Sequence, residues 1–129
     1  MSANREIIEK LYAGFAAGDV PAVLGSFDPE ISWTEAAGFP YAGTYIGPDA
    51  ILQNVFMKLA TEWDGFTAVP SQYVAEGDTF VAIVKYSCTY NATGKSMKTP
   101  MVHVWTLKDG KVVNYVQHCD TVLVQAALT

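Results

Sequence analysis

Arginine is nearly absent from this chain: Arg5 is the only one, and the other seven of its eight basic residues are lysines scattered along the sequence. Bidentate capture of phosphate or carboxylate relies on the guanidinium fork. With a net charge of −5, the chain also lacks the basic stripe that a nucleic acid or an anionic lipid surface requires. No Gly-rich phosphate loop replaces it, since Gly47-Pro48-Asp49 reads as a turn into a helix. Neither nucleic acid nor a membrane surface is an expected partner. Cysteine is scarce too. Cys88 and Cys119 sit in strand-like segments without a spaced motif, which predicts two reduced thiols and a cytoplasmic setting. No apolar run approaches the length of a membrane span, and the opening Met-Ser-Ala-Asn-Arg-Glu does not read as a signal peptide.

What the chain has is apolar and aromatic. Half of its 129 residues are hydrophobic, 12% are aromatic, and only 16% are charged. One domain over residues 1–129 is expected, with surplus apolar surface assigned to a cavity, an oligomer interface, or both.

Ile7, Ile8, Leu11, Tyr12 and Phe15 recur at helical spacing and predict a helix from about Ser2 to Gly18. Asp19 is placed to cap a short second helix with Pro21 in its first turn. Ile31 to Glu35 alternates as a strand, a Gly-, Pro- and Tyr-rich loop follows from Gly38 to Gly47, and a third helix is predicted over about 48–63. Beyond Gly65 the period changes to two. Strands are predicted at about 66–75, 79–91, 96–108 and 111–123, separated by Gly77-Asp78, Thr93-Gly94 and Asp109-Gly110. The expected fold is α+β, with three N-terminal helices packed on a curved, mostly antiparallel sheet around a pocket.

Asp109-Gly110 is a strong two-residue hairpin signal. It pairs Lys108 with Lys111, sets Val116 opposite His103, and brings His118 diagonally across from it. Asp120 follows two residues later on the same face. A two-residue turn at Thr93-Gly94 would then pair Tyr86 with Met101 and Val84 with His103. The face carrying both histidines collects Phe80, Ala82, Val84, Tyr86, Cys88, Tyr90, Met97, Met101 and Trp105 and should point inward, although a one-residue slip would invert it.

This layout resembles the SnoaL-like and ketosteroid-isomerase-like branch of the nuclear-transport-factor-2-like superfamily. The resemblance is carried by Ala16-Ala-Gly-Asp19, Phe27-Asp-Pro-Glu-Ile-Ser-Trp33, Gly43-Thr-Tyr-Ile-Gly-Pro-Asp-Ala-Ile51 and His118-Cys-Asp-Thr121. It implies a cone of helices around a curved sheet with a deep pocket, and a homodimer through the outer face of the sheet. Activities in the family include isomerases, polyketide cyclases, epoxide hydrolases, dehydratases and non-catalytic binders, so fold alone does not select one. The resemblance matches Asp120 to the acid–base carboxylate of SnoaL-type cyclases and Glu35 to the position near the ketosteroid-isomerase base. It disfavours epoxide hydrolysis, which needs a buried arginine between two aspartates.

The candidate catalytic group is therefore Asp120 paired with His118, with His103 as a donor in the pocket wall and Glu35 as a second acid–base residue. Asp120 can raise the basicity of His118 and fix its tautomer. Glu35, walled by the indole of Trp33, should have a raised pKa through desolvation. Tyr12, Trp33, Tyr41, Tyr45, Phe56, Trp63, Tyr86, Met101 and Trp105 are the expected pocket lining, with Tyr12 or Tyr86 as possible oxyanion donors. The loop from Ala37 to Gly43 is a candidate lid. Two histidines and an aspartate can also form a facial metal triad, but neither a metal nor an organic cofactor is expected. The leading expectation is cofactor-free isomerase, cyclase or lyase chemistry on a small hydrophobic carbonyl compound. Two alternatives stay open: a non-catalytic binder of a small apolar ligand, and a dimerising scaffold whose interior is filled by its own side chains.

Overall fold

A computed structural model describes residues 2–129; Met1 lies outside the described residues. Helix α1 (Ser2–Ala17) carries the predicted apolar stripe. Asp19 caps α2 (Val20–Gly25), its side chain accepting from Ala22 N at 3.2 Å. The third predicted helix is one continuous helical run of three pieces: α3 (Pro48–Ile51), a π-helical turn (Leu52–Phe56), and α4 (Met57–Glu62). The wider turn brings Val55 and Phe56 into the interior.

Six strands form one sheet: β1 (Phe27–Glu35), β2 (Gly43–Ile46), β3 (Trp63–Glu76), β4 (Thr79–Tyr90), β5 (Ser96–Lys108) and β6 (Lys111–Cys119). Their order is β2-β1-β6-β5-β4-β3, antiparallel throughout except where β1 runs parallel to β6. The α+β expectation is met, with helices packed against a curved, mostly antiparallel sheet. Strand β2 lies within what the sequence suggested was loop. Pro70 lies on edge strand β3 next to a register shift, a position where its missing N–H is tolerated.

Two differences from the expected register decide where the site lies. The β4–β5 turn is longer than two residues: Tyr90 N donates to Lys95 O, and Val84 pairs with Met101 and Ala82 with His103. This displaces the pairing by two residues, and an even shift keeps every side chain on its face. Phe80, Ala82, Val84, Tyr86, Cys88, Met97, Met101, His103 and Trp105 are all buried on the inner face.

The β5–β6 hairpin differs by an odd shift. Lys108 pairs with Lys111 and Leu107 with Val112, but Thr106 pairs with Asn114, leaving Val113 as a bulge. His103 therefore faces Gln117 instead of Val116, and His118 pairs with Val102 on the outer face. The bulge lies across from an excursion of β1. Between Phe27, paired with Val112, and Ser32, paired with Asn114, the chain detours through Asp28-Pro29. Proline offers no ladder donor there, and Asp28 turns back to accept from Glu30 N at 2.8 Å.

Strand β6 also ends earlier than the sequence suggested. Asp120 is the N-cap of a fifth helix, α5 (Thr121–Leu128), its side chain accepting from Leu123 N at 3.3 Å. Gln125 on α5 donates to Gly38 O at 2.6 Å, holding down the 36–42 loop. That loop buries Phe39 and Tyr41.

Candidate functional site

The inner face of β1, β3, β4, β5 and β6 closes with α1 and the Val55–Leu59 helical segment around a chamber of about 20 Å³, roughly the space of one water molecule. Its lining is aromatic and aliphatic apart from Glu35, Tyr86, His103 and Tyr115. Phe15, Phe56, Leu59 and Phe66 separate it from an outer, apolar vestibule of about 180 Å³ walled by Gly14, Gly18, Val20, Val23 and Ala60.

Glu35 ends β1 with its carboxyl buried. Trp33, two residues earlier on the same strand face, donates from Nε1 to Glu35 Oε2 at 2.9 Å. Burial pushes the carboxyl up to about 7, and the indole hydrogen bond pulls against that shift without reversing it. The group can therefore exchange protons near neutrality.

His103 is buried in the middle of β5 with a phenol at each ring nitrogen. Tyr12 Oη lies 2.5 Å from Nδ1 and Tyr86 Oη lies 2.8 Å from Nε2. Burial pushes the imidazole down to about 3, so it stays neutral at ordinary pH. Trp105 Nε1 donates to Tyr12 Oη at 3.0 Å, and Gln117 Nε2 donates to Tyr86 Oη at 3.4 Å. Burial raises Tyr86 well above its ordinary value, and the neighbouring Glu35 charge adds to that rise. These phenols are hydrogen-bonding groups in their neutral form.

The predicted site residues thus divide. Glu35, His103, Trp33, Phe56, Tyr86 and Trp105 line the chamber, while Tyr12 stands behind it on His103. His118 and Asp120 do not join them. Both are exposed, and they border a shallow outer-face groove with Ile83, Pro100 and Val102. The odd shift at Val113 carries His118 outward, and the cap of α5 occupies the Asp120 carboxylate, so the expected convergence with His103 is corrected. Tyr41, Tyr45 and Trp63 form a separate network beside the chamber. Tyr41 donates to Glu62 Oε1 at 2.5 Å, Trp63 Nε1 donates to Tyr41 Oη at 3.2 Å, and Tyr45 donates to Tyr41 O at 2.8 Å. Met101 is buried in the core but is not part of the chamber wall.

Sequence reasoning missed Phe15, Val55, Leu59, Phe66, Ala68 and Tyr115 as lining and Gln117 as a buried polar partner. For β6 a signal was present: Val112 and Tyr115 are both apolar at a spacing of three, which period two does not accommodate without a bulge. Among the described residues, no group of three or more His, Cys, Asp or Glu side chains is arranged to hold a metal ion.

Most of the chain matches a known family model. The SnoaL-like domain model matches residues 8–115. The chain belongs to the SnoaL-like domain family. This SnoaL-like chain is 41% identical to a nuclear-transport-factor-2-like protein from Burkholderia thailandensis, with a TM-score of 0.96 over 100% of this chain and 99% of that one. A second such protein, of unknown function, from Burkholderia pseudomallei is 26% identical, with a TM-score of 0.92 over 100% and 99% of the two chains. TerC, crystallised with polyporic acid, is 27% identical, with a TM-score of 0.89 over 98% of each chain. No curated protein matches the sequence. Among the described residues, no helix of this SnoaL-like domain is long and apolar enough to cross a membrane.

Proposed function

We propose that the chain is a cofactor-free acid–base enzyme acting on a small, neutral, hydrophobic carbonyl compound, by isomerisation, cyclisation or elimination. The observation that carries this reading is the buried Glu35 carboxyl, pushed up to about 7 and facing an apolar chamber whose other polar wall is Tyr86 on His103. Ionised Glu35 takes a proton from carbon next to the carbonyl, and the electron pair moves onto the carbonyl oxygen. The wall of Tyr86 and His103 supplies hydrogen bonding to that oxygen in a site where water screens little. The enolate then takes a proton at another carbon, attacks a second carbonyl, or expels a leaving group. No lysine or arginine lines the chamber among the described residues, which favours an uncharged substrate.

The likeness to TerC, co-crystallised with polyporic acid, supports a small-molecule ligand. Any organic ligand must first displace Phe15, Phe56, Leu59 or Phe66, since the chamber is about 20 Å³ and ligand pockets commonly run to several hundred Å³. The reading includes a homodimer through the outer face of the sheet, where Val81, Ile83, Val102, Val104 and Val116 are only half-buried in one chain.

The small volume of the chamber favours a second reading, in which the interior is closed by its own side chains and the chain serves as a scaffold or a non-catalytic binder. Incubation with 2-tetralone in D2O, followed by proton NMR, separates the two. The enzyme reading expects exchange of the ketone's α-hydrogens above the buffer rate with wild-type protein and at the buffer rate with Glu35→Gln. Equal rates for wild type, Glu35→Gln and buffer, across a panel of such ketones, favour the second reading.

A further inference from the structure

Two phenols share one imidazole in the chamber wall, and a neutral ring accepts from only one of them, so its tautomer decides whether the Tyr12 or the Tyr86 hydrogen is released from it. Indole Nε1–H donates and cannot accept, so Tyr12 Oη must accept from Trp105. Among the described residues Tyr12 Oη has one other hydrogen-bond neighbour, His103 Nδ1, and that nitrogen must accept the phenol's own hydrogen. A neutral imidazole with Nδ1 unprotonated carries its hydrogen on Nε2, which points at Tyr86 Oη. Tyr86 also accepts from Gln117 Nε2, the sense of that bond being fixed because Gln117 Oε1 accepts from Ala36 N at 3.0 Å, and on the chamber side its hydrogen-bonding neighbour is the Tyr115 hydroxyl. The reverse tautomer would let Tyr86 donate to His103 but would strand the Tyr12 hydrogen in a dry interior, a state that native structures avoid.

We propose that Trp105, Tyr12 and His103 form a one-way hydrogen-bond relay that holds His103 as its Nε2–H tautomer and frees the Tyr86 hydroxyl hydrogen from the imidazole for the chamber side, where Tyr115 also lies. Trp105, Tyr12 and His103 are positioning residues, and Tyr86 is the residue that meets the ligand. Glu35 takes its side-chain hydrogen bond from Trp33, so the Tyr86 hydrogen and the Glu35 carboxyl line the same chamber without satisfying each other. Once Phe15, Phe56, Leu59 or Phe66 gives way, a neutral molecule with an acceptor oxygen beside an acidic C–H bond would meet both groups. This last step rests on the acid–base reading above; the relay itself does not. Burial keeps His103 neutral, so ordinary changes of pH do not interrupt the chain.

The relay is tested without any ligand, by long-range proton–nitrogen NMR on the full chain labelled with ¹⁵N-histidine. His118→Ala assigns the spectrum, since His118 is the only other histidine. Wild type should show His103 protonated on Nε2 alone. Tyr86→Phe should leave that tautomer unchanged, because Tyr12 still donates to Nδ1. Tyr12→Phe should release it and populate the Nδ1–H form, and Trp105→Phe should do so as well. A wild-type His103 protonated on Nδ1, or a tautomer that switches in Tyr86→Phe but not in Tyr12→Phe, overturns the proposal. The wild-type spectrum decides even where a variant fails to fold, and catalytic inactivity of the protein would leave this result unaffected.

Discussion

Trp33 donates its indole hydrogen to the carboxyl of Glu35, two residues along the same strand face and 2.9 Å away. Among the described residues it is the one hydrogen bond to this carboxyl, and it offsets only part of the cost of burying it. An ionised Glu35 therefore destabilises the fold while equipping the chamber for proton transfer, a trade common at functional sites.

The first prediction follows from that trade. Glu35→Gln keeps an oxygen for the Trp33 hydrogen and removes the ionisable group. The shift from 4.5 to about 7 corresponds to about 3 kcal/mol of ionisation cost above neutrality. Glu35→Gln should therefore be more stable than wild type at pH 8, by up to about 3 kcal/mol, and this advantage should shrink towards pH 5. Urea titrations at the two pH values measure it; an advantage that does not shrink at pH 5 would count against a raised Glu35 pKa.

The whole pH–stability profile carries a second signature. Glu35 is raised on folding, so its contribution is complete below 4.5 and is lost as pH rises through about 7. His103 is lowered on folding, so its contribution is complete above 6.5 and is lost as pH falls through about 3. Between 4.5 and 6.5 the two slopes oppose each other, one proton against one. The contributions of these two residues should nearly cancel in wild type over that window, whereas Glu35→Gln, left with His103 alone, should gain stability as pH rises across it. Denaturant midpoints taken at half-unit steps would show the contrast.

The outer-face residues should behave as structural ones. Asp120→Ala removes the cap of α5 and should cost about 1 kcal/mol. His118→Ala, at an exposed position, should change stability by less than about 0.5 kcal/mol. Neither should alter α-hydrogen exchange of a ketone that the wild-type protein processes. A tenfold loss of that exchange in His118→Ala would move the site to the outer face.

Gly38 is held in a conformation that other residues resist. Its φ is +93°, and a Cβ there would come within 2.8 Å of Thr121 Cβ and Cγ2 on α5. Gly38→Ala should cost about 2–4 kcal/mol, combining backbone strain with overpacking. The loss should appear as a lower melting temperature with faster amide exchange in the 36–42 loop and α5.

Much of the site's surroundings was legible in the chain itself. Alternation along β4 and β5 put Tyr86, His103 and Trp105 on one apolar face, and the longer β4–β5 turn could not disturb that assignment because its shift is even. Glu35 beside Trp33 was legible for a similar reason, since two positions on one strand share a face. His118 was not, because a single extra residue at Val113 reverses the parity of everything after it. Asp120 was misread because Val122, Leu123 and Val124 suit a strand as well as a helix. The pattern that identifies α5 is the capping aspartate followed by Val124 and Ala127 at helical spacing.

By itself the sequence determined the fold class and the inward face of the central hairpin, because composition, period and Asp-Gly turns act locally. Only the tertiary structure decided that Glu35 and His103 line one chamber while His118 and Asp120 lie on the outer face. That outcome depends on β1 running parallel to β6, with its Asp28-Pro29 excursion across from the Val113 bulge. These segments lie more than eighty residues apart, and no local propensity couples them.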